Sequence, residues 1–515
     1  MNIIPVVDVF AGPGGLGEGF AAYTDESQCH PFGISLSAEM DPHAHETLRL
    51  RAYYRQLILN GEDLSELRRY CLGQTTEMYT PKTLSLWNKA CEESVCLELG
   101  TKNGDIKLNN HLDKLLANTK EWVLIGGPPC QAYSVVGRVR NQGNKQYDPV
   151  NDKRHFLYQE YLKVLNKYKP SVFVMENVRG MLSCKIDGKH IAYKILNDLA
   201  NGGLDYEKDR NFGYKIYSIV SPICFEHGMD AEDIDTSGFV VKSEEYGIPQ
   251  TRHRVILLGV RKDFDVYPNL LTPMKALGVK DMLDDLPKLR SGLSREADDQ
   301  EKWHAYVAQE YWTLASFAKK IGMYDFADDL DEAGFLVKTK KYMRCAQNKN
   351  RFNFSKGMSL DLQKWLRGKW PENCFNHTSR SHMVSDLRRY AFAAIFAQKF
   401  CRTPKGEKDF TFPGLSPSHE NWKSGKFEDR FRVQLGAFPS TTITSHIAKD
   451  GHYYIHPDPI QCRSFTVREA ARLQTFPDDY YFCGPRTSQY TQVGNAVPPF
   501  LAKKIAKIVH ELFKG

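Results

Sequence analysis

A short apolar strand that breaks into a glycine-rich turn constrains this chain more than any other feature. Val6-Val7-Asp8-Val9-Phe10 reads as a strand, and Ala11-Gly12-Pro13-Gly14-Gly15-Leu16-Gly17 follows it directly before a helical stretch. Strand, tight turn and helix are the opening unit of an open parallel sheet, whose carboxyl edge is where such sheets hold ligands. The pattern then repeats. A second strand ends near Ile34-Ser35-Leu36-Ser37-Ala38-Glu39, and Trp122-Val123-Leu124-Ile125, Val172-Phe173-Val174-Met175 and Val255-Ile256-Leu257-Leu258 are further apolar runs. Strands alternating with helices predict an α/β fold with a doubly wound, mostly parallel, Rossmann-like sheet.

Between these anchors the pattern lapses twice. Residues 51–103 are polar and helix-prone and read as an insertion, after which Asp105-Ile106 is expected to begin the return to the sheet. Beyond 260 the alternation stops until Phe465, which predicts a second, smaller domain. The expected division is 1–259, 260–462 and a closing segment 463–515. That segment opens on a capping box, Thr466-Val467-Arg468-Glu469, and its helix should end by Phe476-Pro477. In the last helix Leu501, Ile505, Ile508, Val509 and Leu512 share one face, with Lys503, Lys504 and Lys507 largely away from it.

Charge is distributed unevenly along the 515 residues. The net charge is +7, yet residues 338–410 hold 17 Lys+Arg against 5 Asp+Glu, while residues 263–337 hold 8 against 15. Such asymmetry points to a polyanionic partner or to an uneven solvated surface. The 12 cysteines include no CxxC pair, which fits neither a zinc site nor a small disulfide framework, so no metal is expected and a reducing compartment is. No apolar run has the length of a membrane span, and Met1-Asn2-Ile3-Ile4-Pro5 lacks a basic signal-peptide head. A cytoplasmic location is the expectation.

Four segments carry candidate chemistry. Gly12-x-Gly14-x-x-Gly17, with Glu39 some 20 residues on, fits a nucleoside-binding turn with a ribose-binding acid; a nicotinamide dinucleotide or S-adenosylmethionine would both suit it. Gly126-Gly127-Pro128-Pro129-Cys130-Gln131 ends a buried strand and delivers a thiol in a fixed direction at the sheet edge. Glu176-Asn177-Val178 ends another strand, so a carboxyl and the Cys130 thiol could share one rim as general acid and nucleophile. In Gln250-Thr251-Arg252-His253-Arg254 the alternate arginines Arg252 and Arg254 point to one face and could clamp a substrate.

These residues resemble one family, the DNA (cytosine-5) methyltransferases. The Phe10–Gly15 turn, Pro128–Gln131, Glu176–Val178, Gln250–Arg254, Arg468–Pro477 and Gly494–Pro499 occur in that family's order. The resemblance implies a class I methyltransferase fold with S-adenosylmethionine as cofactor, residues 260–462 as an α+β target recognition domain, and duplex DNA as partner. It implies that Cys130 attacks C6 of a flipped-out cytosine, that Glu176 protonates N3, and that Arg252 and Arg254 hold the base and its backbone. It implies cofactor contacts from Phe10, Ala11, Gly12, Gly14, Gly15, Leu16, Glu39, Met40, Asp105, Ile106, Pro128, Asn495 and Val497. The stretch 134–152 resembles the family's mobile loop. DNA contacts are expected from Gln131, Ser134, Arg138 and Arg140 in and before it, and from Lys340, Lys341, Arg344, Lys349 and Arg351 in the basic stretch. A monomer on DNA in a bacterial nucleoid, with a restriction endonuclease or defence system as companion, is the expected setting.

Three rival readings keep parts of this pattern. A tRNA cytosine-5 methyltransferase shares the fold and chemistry, and a catalytically silent DNA-binding relative would lack a key group. A nicotinamide oxidoreductase leaves Pro-Pro-Cys-Gln, Glu-Asn-Val and Gly-Asn-Ala-Val-Pro unused.

Overall fold

The computed structural model describes residues 3–129, 157–186, 189–202, 212–349, 354–417, 422 and 428–514. It divides into two compact units, one of Met1–Gly247, Arg252–Lys275 and Ala496–Gly515, the other of Ile248–Thr251 and Ala276–Asn495. Its boundaries differ from those expected at 259 and 462: residues 463–495 gather with the second unit, and only 496–515 return to the first.

The first unit is built on a sheet of β1 (Ile4–Val9), β2 (Phe32–Glu39), β3 (Ser94–Cys96), β4 (Val123–Gly126), β5 (Val172–Val178), β6 (Tyr214–Tyr217), β7 (Cys224–Phe225), β8 (Val240–Lys242) and β9 (His253–Arg261). The spatial order is β3-β2-β1-β4-β5-β9-β6-β7, with β8 beside β9. The strands from β3 to β5 are parallel, whereas β9 runs antiparallel to both β5 and β6. Chain order reverses between β1 and β4, which is the switch point where open sheets bind ligands. The sheet core holds Val7, Val9, Leu124, Phe173, Met175 and Leu257, all buried. Both faces of the central strands are covered, so these strands read as continuous apolar runs.

The expected return to the sheet at Asp105 is corrected by β3. The strand beside β2 is Ser94–Cys96, inside the stretch read as an insertion, and Asp105 and Ile106 lie in the first turns of a helix, Lys102–Leu115, capped by the Thr101 hydroxyl. The rest of that stretch is helices joined by turns, with Pro42–Leu59 and Leu84–Glu93 packed through an edge-to-face pair of Tyr53 and Trp87.

The C-terminal helix, Pro499–Leu512, packs on the first helix, Gly15–Ala21. A Cβ at Gly19 would stand 2.4 Å from the Ala502 methyl, so only glycine permits this approach. The apolar face expected for the last helix is the buried one, at Leu501, Ile505, Ile508, Val509 and Leu512.

The second unit centres on helices Gln300–Lys320, Tyr324–Thr339 and Val384–Phe400, which bury Trp303, Tyr311, Phe326, Leu330, Tyr390 and Phe392 together. Its strands, among the described residues, are short pairs: Gln250–Thr251 with Ser440–Thr441, and Gly292–Leu293 with Ser381–His382. Thr466 and Glu469 form the expected capping box, and the helix they open runs Val467–Leu473. Its arginines are internal struts. Arg468 donates to the carbonyls of Phe375, Pro477 and Tyr480, and Arg472 pairs with Asp285 and Asp478.

Candidate active site

The parallel register brings the motif residues to one level. Val9 pairs with Ala38 on one side and Gly126 on the other, and Gly126 pairs with Met175. The residues one step further along the four strands are Phe10, Glu39, Gly127 and Glu176. They form a row along the carboxyl rim, from the acid that ends β2 to the acid within the last turn of β5.

At the first end of the row the chain is shaped for close approach. Phe10, Gly12 and Gly14 have φ of 58°, 57° and 89°, and the first helix starts at Gly15. A Cβ at Gly15 would lie 2.2 Å from the Val497 carbonyl oxygen, so Val497 closes against the turn only because that position is glycine. Glu39 ties the turn to its neighbour: Oε2 accepts from the Gly12 amide at 2.8 Å, and Oε1 from the Met40 and Asp41 amides at 2.9 and 2.8 Å. Burial raises the Glu39 pKa, with those three amides opposing it. Oε2 keeps acceptor capacity for a hydroxyl. Met40 is exposed beside it. Below the turn, burial pushes the Asp8 carboxyl up to about 8 against the Gly17 amide, which leaves it neutral at pH 7.

At the other end, Glu176 Oε1 meets Arg254 Nε at 3.0 Å, and both side chains are largely buried. Burial lowers the Arg254 pKa and the Glu176 carboxylate offsets part of that. Glu176 Oε2 points over the loop after β4, at 3.2 Å from where a Gly127 Cβ would stand. The Asn177 amide donates to the Pro128 carbonyl at 3.3 Å. The Glu-Asn-Val segment therefore fastens the loop that runs into Cys130. Cys130 itself, Gln131, Ser134, Arg138, Arg140, the rest of 134–152 and Arg351 lie outside the described residues.

Several expected site residues stand elsewhere. Asp105 accepts from the Gly100 amide at 2.8 Å and faces Lys163 at 3.6 Å, away from the strand end that neighbours Glu39. That strand end carries Cys96, whose thiol approaches the Met40 carbonyl at 3.8 Å, and the exposed Glu98 follows it. A three-residue strand with two polar members gave the sequence reading no signal. Arg252 is buried, and its backbone carbonyl accepts from the Ser243 amide and hydroxyl. Gln250 braces the second unit, donating to Leu473 and Gln474 and accepting from the Ile443 amide. Asn495 ends the helix Arg486–Asn495 and is exposed there.

In the basic stretch, Lys349 is corrected. It is 7% exposed and paired with Asp478, with Asp285 at 3.9 Å, so it serves the buried charge cluster around Arg472 and cannot reach a phosphate. Lys340 is exposed, Lys341 pairs at the surface with Glu301, and Arg344 meets Asp298 at 3.4 Å. Among the described residues no helix is long and apolar enough to cross a membrane.

The rim holds, side by side, a turn whose glycines admit a nucleoside with its amino-acid tail and an acid–arginine pair over a Pro-Pro-Cys loop. The residues present fit S-adenosylmethionine: the backbone at Gly12 faces open space, where a Cβ would meet nothing within 4 Å, and Glu39 Oε2 suits a ribose hydroxyl. Comparison with known proteins agrees. Residues 85–511 match the model of the C-5 cytosine-specific DNA methylase family. A type II methyltransferase of Bacillus paralicheniformis, M.Bpa9945I, is 31% identical over 99% of both chains. M.DdeI, a type II methyltransferase of Desulfomicrobium norvegicum, is 26% identical over 76% of this chain and 73% of its own. Among solved structures, a protein assigned as a DNA modification methyltransferase encoded within an E. coli prophage superposes with a TM-score of 0.51 at 19% identity, covering 99% of this chain and 100% of that one, and so shares the fold. The chain belongs to the C-5 cytosine-specific DNA methylase family and is a DNA (cytosine-5)-methyltransferase dependent on S-adenosylmethionine.

Proposed function

We propose that the chain methylates a flipped-out cytosine within a specific duplex sequence, with Cys130 as nucleophile, Glu176 as the acid at N3 and Arg254 as its anchor. The observation that carries this reading is the Glu176–Arg254 pair beside Gly127, on the loop that Asn177 fastens three residues or fewer from Cys130. C5 of cytosine is a poor nucleophile. Addition of the Cys130 thiolate to C6 makes C5 enamine-like, and a proton held at N3 by Glu176 stabilises that adduct. Arg254 occupies Oε1 and fixes the carboxyl so that Oε2 faces the base. The bound cofactor supplies an activated methyl group to C5. Loss of the C5 proton and elimination of the thiol restore Cys130. None of these atoms is reachable in a stacked duplex, so the base leaves the helix first.

The cofactor site comprises Phe10, Ala11, Gly12, Gly14, Gly15, Leu16, Glu39, Met40, Pro128 and Val497, with Glu98 taking the place expected of Asp105 because it follows the strand that neighbours Glu39. The clamp on the base is assigned to Arg254, which holds Glu176, together with Arg252 two residues before it. The relatives' type II assignment supports a modification enzyme of a restriction–modification pair. We propose that it acts as a monomer on DNA in the bacterial cytoplasm, with residues 260–462 reading the target. Bisulfite sequencing of DNA from cells expressing the protein tests the function: 5-methylcytosine is expected in one short motif. Methylation of tRNA with none on duplex DNA would transfer the activity to RNA.

Lys340, Lys341 and Arg344 are the proposed phosphate contacts of the basic stretch. The surface pair of Lys341 is worth about 0–1 kcal/mol and yields readily to a phosphate, whereas Arg344 also donates to the Ser379 carbonyl and the Ser381 hydroxyl and is held more firmly. Alanine at each is expected to flatten the slope of log affinity against log salt by about one unit. Alanine at Lys349 should leave the slope unchanged and cost about 3 kcal/mol of stability in urea unfolding, since it strips a cation from two buried carboxylates. Equal slopes for all four variants would move the DNA away from this segment.

A further inference from the structure

The stretch 51–103 carries none of the family motifs, yet its charged side chains reach the glycine turn. Glu18, one residue beyond Gly17, is buried on the first helix. Arg51 Nε lies 3.1 Å from both of its oxygens, and Arg51 Nη2 lies 2.5 Å from Oε1. Arg55 Nη1 reaches Glu18 Oε2 at 3.3 Å, and Arg55 Nη2 meets Glu93 Oε1 at 2.5 Å. Side-chain exposures are 4% for Glu18, 7% for Arg51, 19% for Arg55 and 8% for Glu93. Two cations and two anions balance out of solvent. Their desolvation offsets much of their attraction, so such a cluster fixes geometry more than it adds stability.

The same helix, Pro42–Leu59, starts beside Glu39, whose carboxylate binds the amides of Gly12, Met40 and Asp41. The turn is thus held to this helix on both flanks: Gly12 through Glu39 at the helix start, Glu18 through Arg51 and Arg55 near its middle. Glu93, from the helix Leu84–Glu93, holds Arg55 from behind.

We infer that Glu18, Arg51, Arg55 and Glu93 form a brace that positions the cofactor turn, so that the helices Pro42–Leu59 and Leu84–Glu93 set affinity for S-adenosylmethionine. None of the four touches the reacting atoms; they are positioning residues. The inference rests on the assignment of the cofactor to the Phe10–Gly17 turn. It predicts a loss in cofactor binding with little change in the rate once cofactor saturates.

The test uses the full chain with Glu18→Gln, Arg51→Met and the double substitution. Calorimetric Kd for S-adenosylmethionine, Tm, and single-turnover methylation at saturating cofactor are measured. All three variants are expected to bind cofactor about 10- to 100-fold more weakly, as a displaced contact surface does. The saturated rate should stay within about threefold of wild type. The single variants lower Tm, whereas the double variant is charge-balanced and recovers it without recovering affinity. Unchanged Kd in folded variants, or Kd returning with Tm in the double variant, overturns the brace. Phe10→Ala reports on the pocket itself: if it leaves Kd unchanged, the cofactor assignment has failed and the brace falls with it.

Discussion

Replacing Cys130 by serine is expected to abolish methyl transfer, by about 10⁴-fold or more, while cofactor affinity stays near wild type. A hydroxyl at neutral pH is a far weaker nucleophile than a thiolate. The cofactor end of the rim, by contrast, is built from Phe10, the glycines and Glu39, which lie across β1 and β2. Duplex DNA bearing 5-fluorocytosine in the target motif should trap the wild-type enzyme covalently, because fluorine cannot leave C5 as a proton does. A methylating serine variant, or no trapped complex, would sink the assignment of the nucleophile.

Glu176→Gln is expected to slow the chemical step by about 100-fold or more with DNA affinity little changed. The amide preserves the shape above Gly127 and can still donate to N3, but it cannot exchange a proton there. Single-turnover rates at saturating DNA and cofactor isolate this step. The substitution also strips Arg254 of its counter-charge at 3.0 Å, so a fall in Tm is expected alongside. A fall in Tm with an unchanged rate would leave Glu176 as no more than the anion that keeps Arg254 buried.

The sheet was legible because its central strands are buried on both faces. Trp122–Ile125 and Val172–Met175 are unbroken apolar runs, Val6–Phe10 is interrupted only by the buried Asp8, and the motifs sit where those runs stop. The helix at Thr466 was legible from its capping chemistry, and the last helix from one apolar face. What stayed hidden was edge and context. β3 is three residues long, Ser94-Val95-Cys96, too short to show a period, so the return to the sheet is expected at Asp105 and not there. Charge density marked the basic stretch but could not separate Lys340, which is exposed, from Lys349, which Asp478 holds in the interior. Arg254 lies within β9, whereas Arg252 stands one residue before that strand begins.

The contact between Gly19 and Ala502 has a consequence in time. The two residues are nearly as far apart as the chain allows, and the Val497 carbonyl that seats on Gly15 is almost as distant. A ribosome adding about 5–20 residues per second needs roughly 25–100 s to traverse that interval. Throughout it the glycine turn exists without the segment that backs it. Contacts of such long sequence separation also close late in folding. The packing that backs the glycine turn is therefore complete only once residues 497–502 have been made, long after the turn itself.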